Sequence, residues 1–173
     1  MKKLLFLAAL LGSFLCLTAC GGDDEPKLEK SAQITYYLNC NELTEAANVI
    51  VYYVGDDGLT KFEALAPGRT AWTKTITVKR FPAKVGFQLA LSVKESSELT
   101  KATYNVKTEA SIKVQLMEGT NIKGTFTNNE NLIGLNAMAK DKVLSNLGNH
   151  DGDNYGYSVS SDGSATRVTL NLK

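Results

Sequence analysis

Three short stretches of this chain hold side chains suited to chemistry. Leu17-Thr18-Ala19-Cys20 ends in a thiol, a good nucleophile once ionised, and runs into Gly21-Gly22-Asp23-Asp24-Glu25. Gly148-Asn149-His150-Asp151 contains the only histidine in the sequence. Overlapping it, Asp151-Gly152-Asp153-Asn154 sets carboxylates at alternate positions, a spacing that suits oxygen ligation of calcium. The chemistries implied are covalent modification at sulfur, proton transfer at an imidazole, and cation binding by carboxylates.

Two of these readings fail on what they lack. The Gly-Asn-His-Asp order resembles one metal-binding block of the calcineurin-like phosphoesterases. That family holds two metals with several histidines and further aspartates, and His150 stands alone here. The calcium reading does not fit an EF-hand loop, because Tyr155 falls at the fifth position and no glutamate stands at the twelfth. Residues 149–154 therefore read as a helix-to-strand loop rich in turn formers. Asp151 and Asp153 are the only metal-ligand candidates, no metal site is assigned, and no cofactor is expected. Nor does a nucleophile elbow occur, and His150 is the sole imidazole base. Paired carboxylates of the glycosidase kind meet only in space, and the acids here gather in turns. The chain is read as non-enzymatic.

The cysteine stretch is more telling in its position. Lys2 and Lys3 precede an apolar run from Leu4 to Leu17, broken only by Gly12 and Ser13. That run is short for a membrane span and has the layout of a secretion signal. Its Leu-Thr-Ala-Cys end resembles the bacterial lipobox. The resemblance implies a diacylglyceryl group on the Cys20 thiol, cleavage before Cys20, and acylation of the new amino group. The chain then divides into a signal peptide (1–19), a lipidated cysteine with polar tether (20–30) and one domain (31–173). Gly21 stands where an aspartate would resemble an inner-membrane retention signal, which favours the outer membrane. Asp23-Asp24-Glu25 resembles the surface-export signal of Bacteroidetes-type lipoproteins, implying a domain facing the cell exterior. A solvated linker is the other reading of these acids.

Composition narrows the partners. With Lys2 and Lys3 removed in the leader, the 19 basic and 18 acidic side chains of the 173-residue sequence come close to balance. That gives no electrostatic case for nucleic acid or for an anionic bilayer. Of the three cysteines, Cys16 leaves with the leader, Cys20 carries lipid and Cys40 has no partner. No intrachain disulfide is expected, and Cys40 reads as a small buried hydrophobe.

The elements that must position these residues are mostly strands. Ala32, Ile34, Tyr36 and Leu38 alternate with polar neighbours, residues 48–54 are apolar on both faces, and Gly55-Asp56-Asp57-Gly58 supplies a hairpin turn into residues 59–65. Residues 72–80 alternate. Val85, Phe87, Leu89, Leu91 and Val93 make the cleanest inward row and the expected centre of the core. Ala102 to Leu116 keeps one parity, as one long strand or two broken near Thr108, and Ile122, Gly124 and Phe126 continue in a partner strand. Leu135, Ala139, Val143 and Leu147 repeat every four residues, which predicts a helix over 132–147 with Asn131 as N-cap and Gly148 after its end. A hairpin closes the chain, with Tyr155, Tyr157 and Val159 before a turn at 161–163 and Val168, Leu170 and Leu172 after it.

Many short strands and one helix predict a mainly β fold, an antiparallel sandwich. Between Asn41 and Lys94, Val49-Ile50-Val51-Tyr52-Tyr53 and Phe81-Pro82-Ala83-Lys84-Val85-Gly86-Phe87 resemble small immunoglobulin-like Bacteroidetes lipoproteins of unassigned function. The resemblance implies an immunoglobulin-like β-sandwich. Within it, Tyr37, Tyr52, Trp72, Tyr155 and Tyr157 are the candidate binding residues, as a ring platform for a glycan or a protein; cross-strand aromatic packing is the competing use of the same rings. The expected function is a non-enzymatic binding module held at the membrane through the lipid on Cys20. The alternatives are an assembly subunit whose strands complete a partner's sheet, and a hydrolase built on carboxylates or a metal at Asp151 and Asp153.

Overall fold

The computed structural model describes residues 28–173. The chain runs β1 (Lys30–Asn39), α1 (Leu43–Ala46), β2 (Ala47–Val54), β3 (Thr60–Leu65), β4 (Ala71–Val78), β5 (Ala83–Val93), β6 (Thr103–Glu118), β7 (Asn121–Ala139), α2 (Lys140–Leu147), β8 (Asn154–Val159) and β9 (Ala165–Val168). Single 3-10 turns occupy Ser96–Glu98 and Gly148–His150. All strand pairs are antiparallel. They form a four-stranded sheet, β4-β1-β6-β7, and a five-stranded sheet, β3-β2-β5-β8-β9. The fold is mainly β, two antiparallel sheets packed as a sandwich, as the alternation of the sequence predicts.

The inward rows meet in one core. Ile34, Tyr36 and Leu38 of β1 face Val51 of β2 and Val85, Phe87 and Leu89 of β5, all fully buried. β5 is the middle strand of its sheet. Tyr36, Tyr53, Trp72, Phe87 and Tyr155 form a continuous aromatic cluster, with Tyr36 and Trp72 stacked at 6.3 Å and 7° between planes. Rings this close contribute beyond the area they bury. α1 is a single helical turn ahead of β2. Residues 103–118 are a single strand, and Thr108 points inward like its even-numbered neighbours, its hydroxyl buried without a hydrogen-bond partner among the described residues.

Two expectations are corrected. The predicted helix over 132–147 is strand as far as Ala139, and only Lys140–Leu147 is helical, with Ala139 rather than Asn131 at its N-cap. The cause lies in β-bulges. The β6–β7 register shifts between Thr108 and Glu109 and again between Tyr104 and Val106, adding residues to β7. Each extra residue flips the inward parity, so Ile133 and Leu135 are buried where even positions pointed inward before. Broken alternation of this kind imitates a four-residue repeat. At the second bulge Ala137 adopts φ 47°, and its N–H donates to the Asn105 side-chain oxygen at 2.8 Å.

The C-terminal residues also depart from expectation. β9 ends at Val168, and the tail crosses the outer face of the five-stranded sheet. Leu170 sits over Gly86 and Gly156, paired across β5 and β8; a Cβ on Gly156 would lie 2.4 Å from the Leu170 Cγ. The Leu172 N–H donates to Gln88 at 2.8 Å, and Lys173 reaches Asp151 at 2.6 Å.

Candidate functional site

The sandwich has two flanks, and each is bridged by an Arg–Glu pair beside aromatic rings. On the β3/β4 flank, Glu63 accepts from Arg69 at 2.9 Å and from the Trp72 indole N–H at 3.1 Å. The β7/β9 flank is wider, because β9 is only 4 residues long and leaves the inner face of β7 partly uncovered. There β7 presents Phe126, Asn128 and Glu130 at alternating positions, half-buried to exposed. β8 supplies Tyr155 and Tyr157, and β9 supplies Arg167 directly opposite Tyr157.

Arg167 ties this flank together. Its guanidinium lies 4.7 Å from the Tyr155 ring centroid and 5.6 Å from that of Tyr157. One nitrogen pairs with Glu130 at 3.1 Å, and another donates to the Asn154 carbonyl at 3.0 Å. The Tyr155 hydroxyl donates to Asn128, while Phe126 packs edge-on to Tyr157 at 5.4 Å. Burial pushes the Tyr155 phenol far above its ordinary value, with neighbouring Tyr157 and Glu130 adding and Arg167 opposing.

Above this layer lies an open cleft of about 470 Å³, within the size range of small-ligand sites. Glu130 and Asn131 of β7 form one wall, Asn149, His150 and Asp153 of the loop after α2 another, and Asn154 and Arg167 the base. The loop is held rigidly. Leu89 donates to the Asp153 carbonyl at 2.8 Å, and the Gly152 N–H returns a bond to Leu89 at 3.0 Å. His150 Nδ1 meets the Asp153 carboxylate at 2.8 Å.

The structure scatters most residues singled out from sequence. Trp72 and Tyr155 are fully buried and Tyr157 is 6% exposed, so all three serve as core packing rather than as a platform. Tyr37, 38% exposed, and the half-buried Tyr52 lie on the outer faces of different sheets and form no common surface. Tyr52 instead pairs with Phe62 at 6.0 Å. Asp151 and Asp153 point to different partners: Asp151 accepts from the Leu91 N–H at 2.8 Å and from Lys173, which together hold its carboxyl below the usual range. Among the described residues no group of three or more His, Cys, Asp or Glu gathers as a metal would require. Cys20 lies outside the described residues.

Arg167, Glu130 and Asn128 escaped sequence reasoning. Arg167 had a legible signal: the hairpin turning at 161–163 brings it opposite Tyr157 once the register is counted. Glu130 and Asn128 had none, because they meet Arg167 and Tyr155 only when the two sheets pack.

Chemically, the cleft offers amides and one mutually neutralised ion pair, Glu130 with Arg167. His150 and Asp153 form an oriented imidazole–carboxylate pair. Among the described residues, no serine, threonine, cysteine or lysine lines the cleft. Comparison with protein-family models, with characterised proteins and with solved structures finds no match to this chain.

Proposed function

We propose that this chain is a lipid-anchored, non-enzymatic binding module at the bacterial outer membrane, and that its β7/β9 cleft takes a glycan. One observation carries the glycan assignment: Glu130, Asn131, Asn149, Asp153 and Arg167 line a single cleft as planar polar groups. Sugar hydroxyls both donate and accept, so they match amides and paired charges better than an anion or an apolar ligand would. The anchor rests on the Leu17-to-Cys20 motif and its apolar leader. The finer immunoglobulin-like assignment draws support from strand order. β1 beside β4 in one sheet and β2-β5-β8 in the other correspond to the B–E and C–F–G pairings of that fold.

The test is titration calorimetry of the full chain against a panel of soluble glycans. The expected result is saturable binding that falls at least tenfold in Asn131→Ala and Asn149→Ala, both exposed positions, with unchanged melting temperature. Binding that ignores both substitutions, or no glycan binding at all, rejects the cleft.

A second reading, hydrolysis, is favoured by the His150–Asp153 pair facing Glu130 across the same cleft. Steady release of reducing ends that disappears in His150→Ala would replace binding with catalysis.

A further inference from the structure

Four connections and the chain entry lie at one end of the sandwich. Lys30 pairs with Glu118 and the Gly119 N–H donates to the Glu29 carbonyl at 3.0 Å, so the β6–β7 turn abuts the start of β1. The β8–β9 turn lines a small depression with Lys30, and the β2–β3 turn faces the β4–β5 connection across an open cleft of about 980 Å³. α1 and α2 are at the opposite end, where β6 begins and β7 finishes.

The entry end carries most of the exposed large apolar side chains among the described residues. Leu28 is 54% exposed, Leu59 62% and Ile122 56%, all at turn tips or at the chain entry. Lys30, Arg80 and Lys84 are exposed beside them, among the exposed acids Glu29, Asp56, Asp57 and Asp162. Seven residues separate Cys20 from Leu28, and covalent geometry caps the reach of those eight steps at about 29 Å. Apolar turn tips gathered at a tethered end suit a bilayer interface, with carbon in the acyl boundary, ammonium groups among phosphates and carboxylates in the water above.

We propose that this end rests on the lipid surface, with Leu28, Leu59 and Ile122 entering the interface and Lys30, Arg80 and Lys84 beside the headgroup phosphates. The inference rests on lipidation of Cys20, which brings the end to the membrane. It fixes an orientation: α2 and the loop bearing His150 point away from the bilayer, so the β7/β9 cleft opens toward the medium.

The experiment uses the full chain, processed in cells and reconstituted into phosphatidylethanolamine–phosphatidylglycerol vesicles. Single cysteines at Leu59→Cys, Ile122→Cys and Lys142→Cys, the last on α2, carry an environment-sensitive fluorophore; all three positions are exposed, and Cys40 is fully buried. The expected result is blue-shifted emission and quenching by lipid-phase quenchers at 59 and 122, with neither at 142. Vesicle-bound protein whose labels at 59 and 122 stay water-like overturns the docking and leaves the anchor standing. Protein that does not float with vesicles overturns the anchor and the docking together.

Discussion

The Tyr36 hydroxyl joins the two sheets through Gly86. The Gly86 N–H donates to it at 3.1 Å, and the hydroxyl donates in turn to the Val54 carbonyl at 3.1 Å. β1 of one sheet is thereby fastened to β5 and the end of β2 in the other. Gly86 has φ 137°, and a Cβ there would lie 2.2 Å from the Tyr155 carbonyl oxygen. Only glycine fits.

Tyr36→Phe keeps the ring stack on Trp72 but strands a buried N–H and a buried carbonyl. The expected cost is about 2 kcal/mol, the penalty for orphaned buried polar groups. Chemical denaturation at neutral pH measures it, and a variant as stable as the parent would show that water replaces the hydroxyl.

Leu170 and Gly156 are predicted to be coupled. Gly156→Ala drives a methyl into the Leu170 side chain and is expected to cost about 1–3 kcal/mol as overpacking. Leu170→Ala alone loses apolar burial on the outer face of the sheet. In the double variant the clash vanishes, so the two losses fall short of additivity, and thermal melts of all four chains measure the difference.

Glu63 and Trp72 predict an acid-side dependence of stability. The indole N–H, and then Arg69, hold the Glu63 carboxyl below its ordinary value of 4.5. A depressed folded-state pKa contributes stability that is present above that ordinary value and is lost as pH falls through the folded one. Side-chain exposure of 34% screens the effect. Glu63→Ala should therefore flatten the acid limb. It should also cost about 1–2 kcal/mol at neutral pH by leaving the indole N–H unpaired. Denaturation followed by fluorescence of the single tryptophan reads both.

Cys40 predicts the alkaline side. Burial pushes its thiol from 9.0 up to about 11, against the opposing charge of Arg69. A raised folded-state pKa means stability that is full below pH 9 and declines as pH climbs from there through about 11. Cys40→Ala should lessen that decline. In the native chain, maleimide labelling mapped to Cys40 by mass spectrometry should wait for denaturant, and prompt labelling would contradict the burial.

Much of the fold was legible because alternation is local. Ile34, Tyr36 and Leu38, or Val85, Phe87 and Leu89, declare an inward face two residues at a time, and the strands read this way are present except at the C-terminus, where Leu170 and Leu172 lie beyond β9. The helix over 132–147 misled for the same reason. A bulge adds one residue, which is invisible until the partner strand is known, and two bulges turned the end of β7 into an apparent helical stripe. The aromatic residues part ways only in the folded chain: Trp72, Tyr155 and Tyr157 are buried while Tyr37 is exposed, and a tyrosine on a strand looks the same whether the opposing layer covers it or not.

Strand content, hairpin turns and the core row of β5 were fixed by residues near one another in the chain, where steric and turn chemistry act directly. The β7/β9 cleft was decided by tertiary structure alone. Glu130 and Arg167, or Asn128 and Tyr155, belong to different sheets, and only sheet packing brings their charges and hydrogen-bonding groups within reach. The same holds for Leu170 over Gly156 and for the apolar tips gathered at the chain entry. Proximity across layers is set by how the sheets bury their shared face, and no short-range pattern records it.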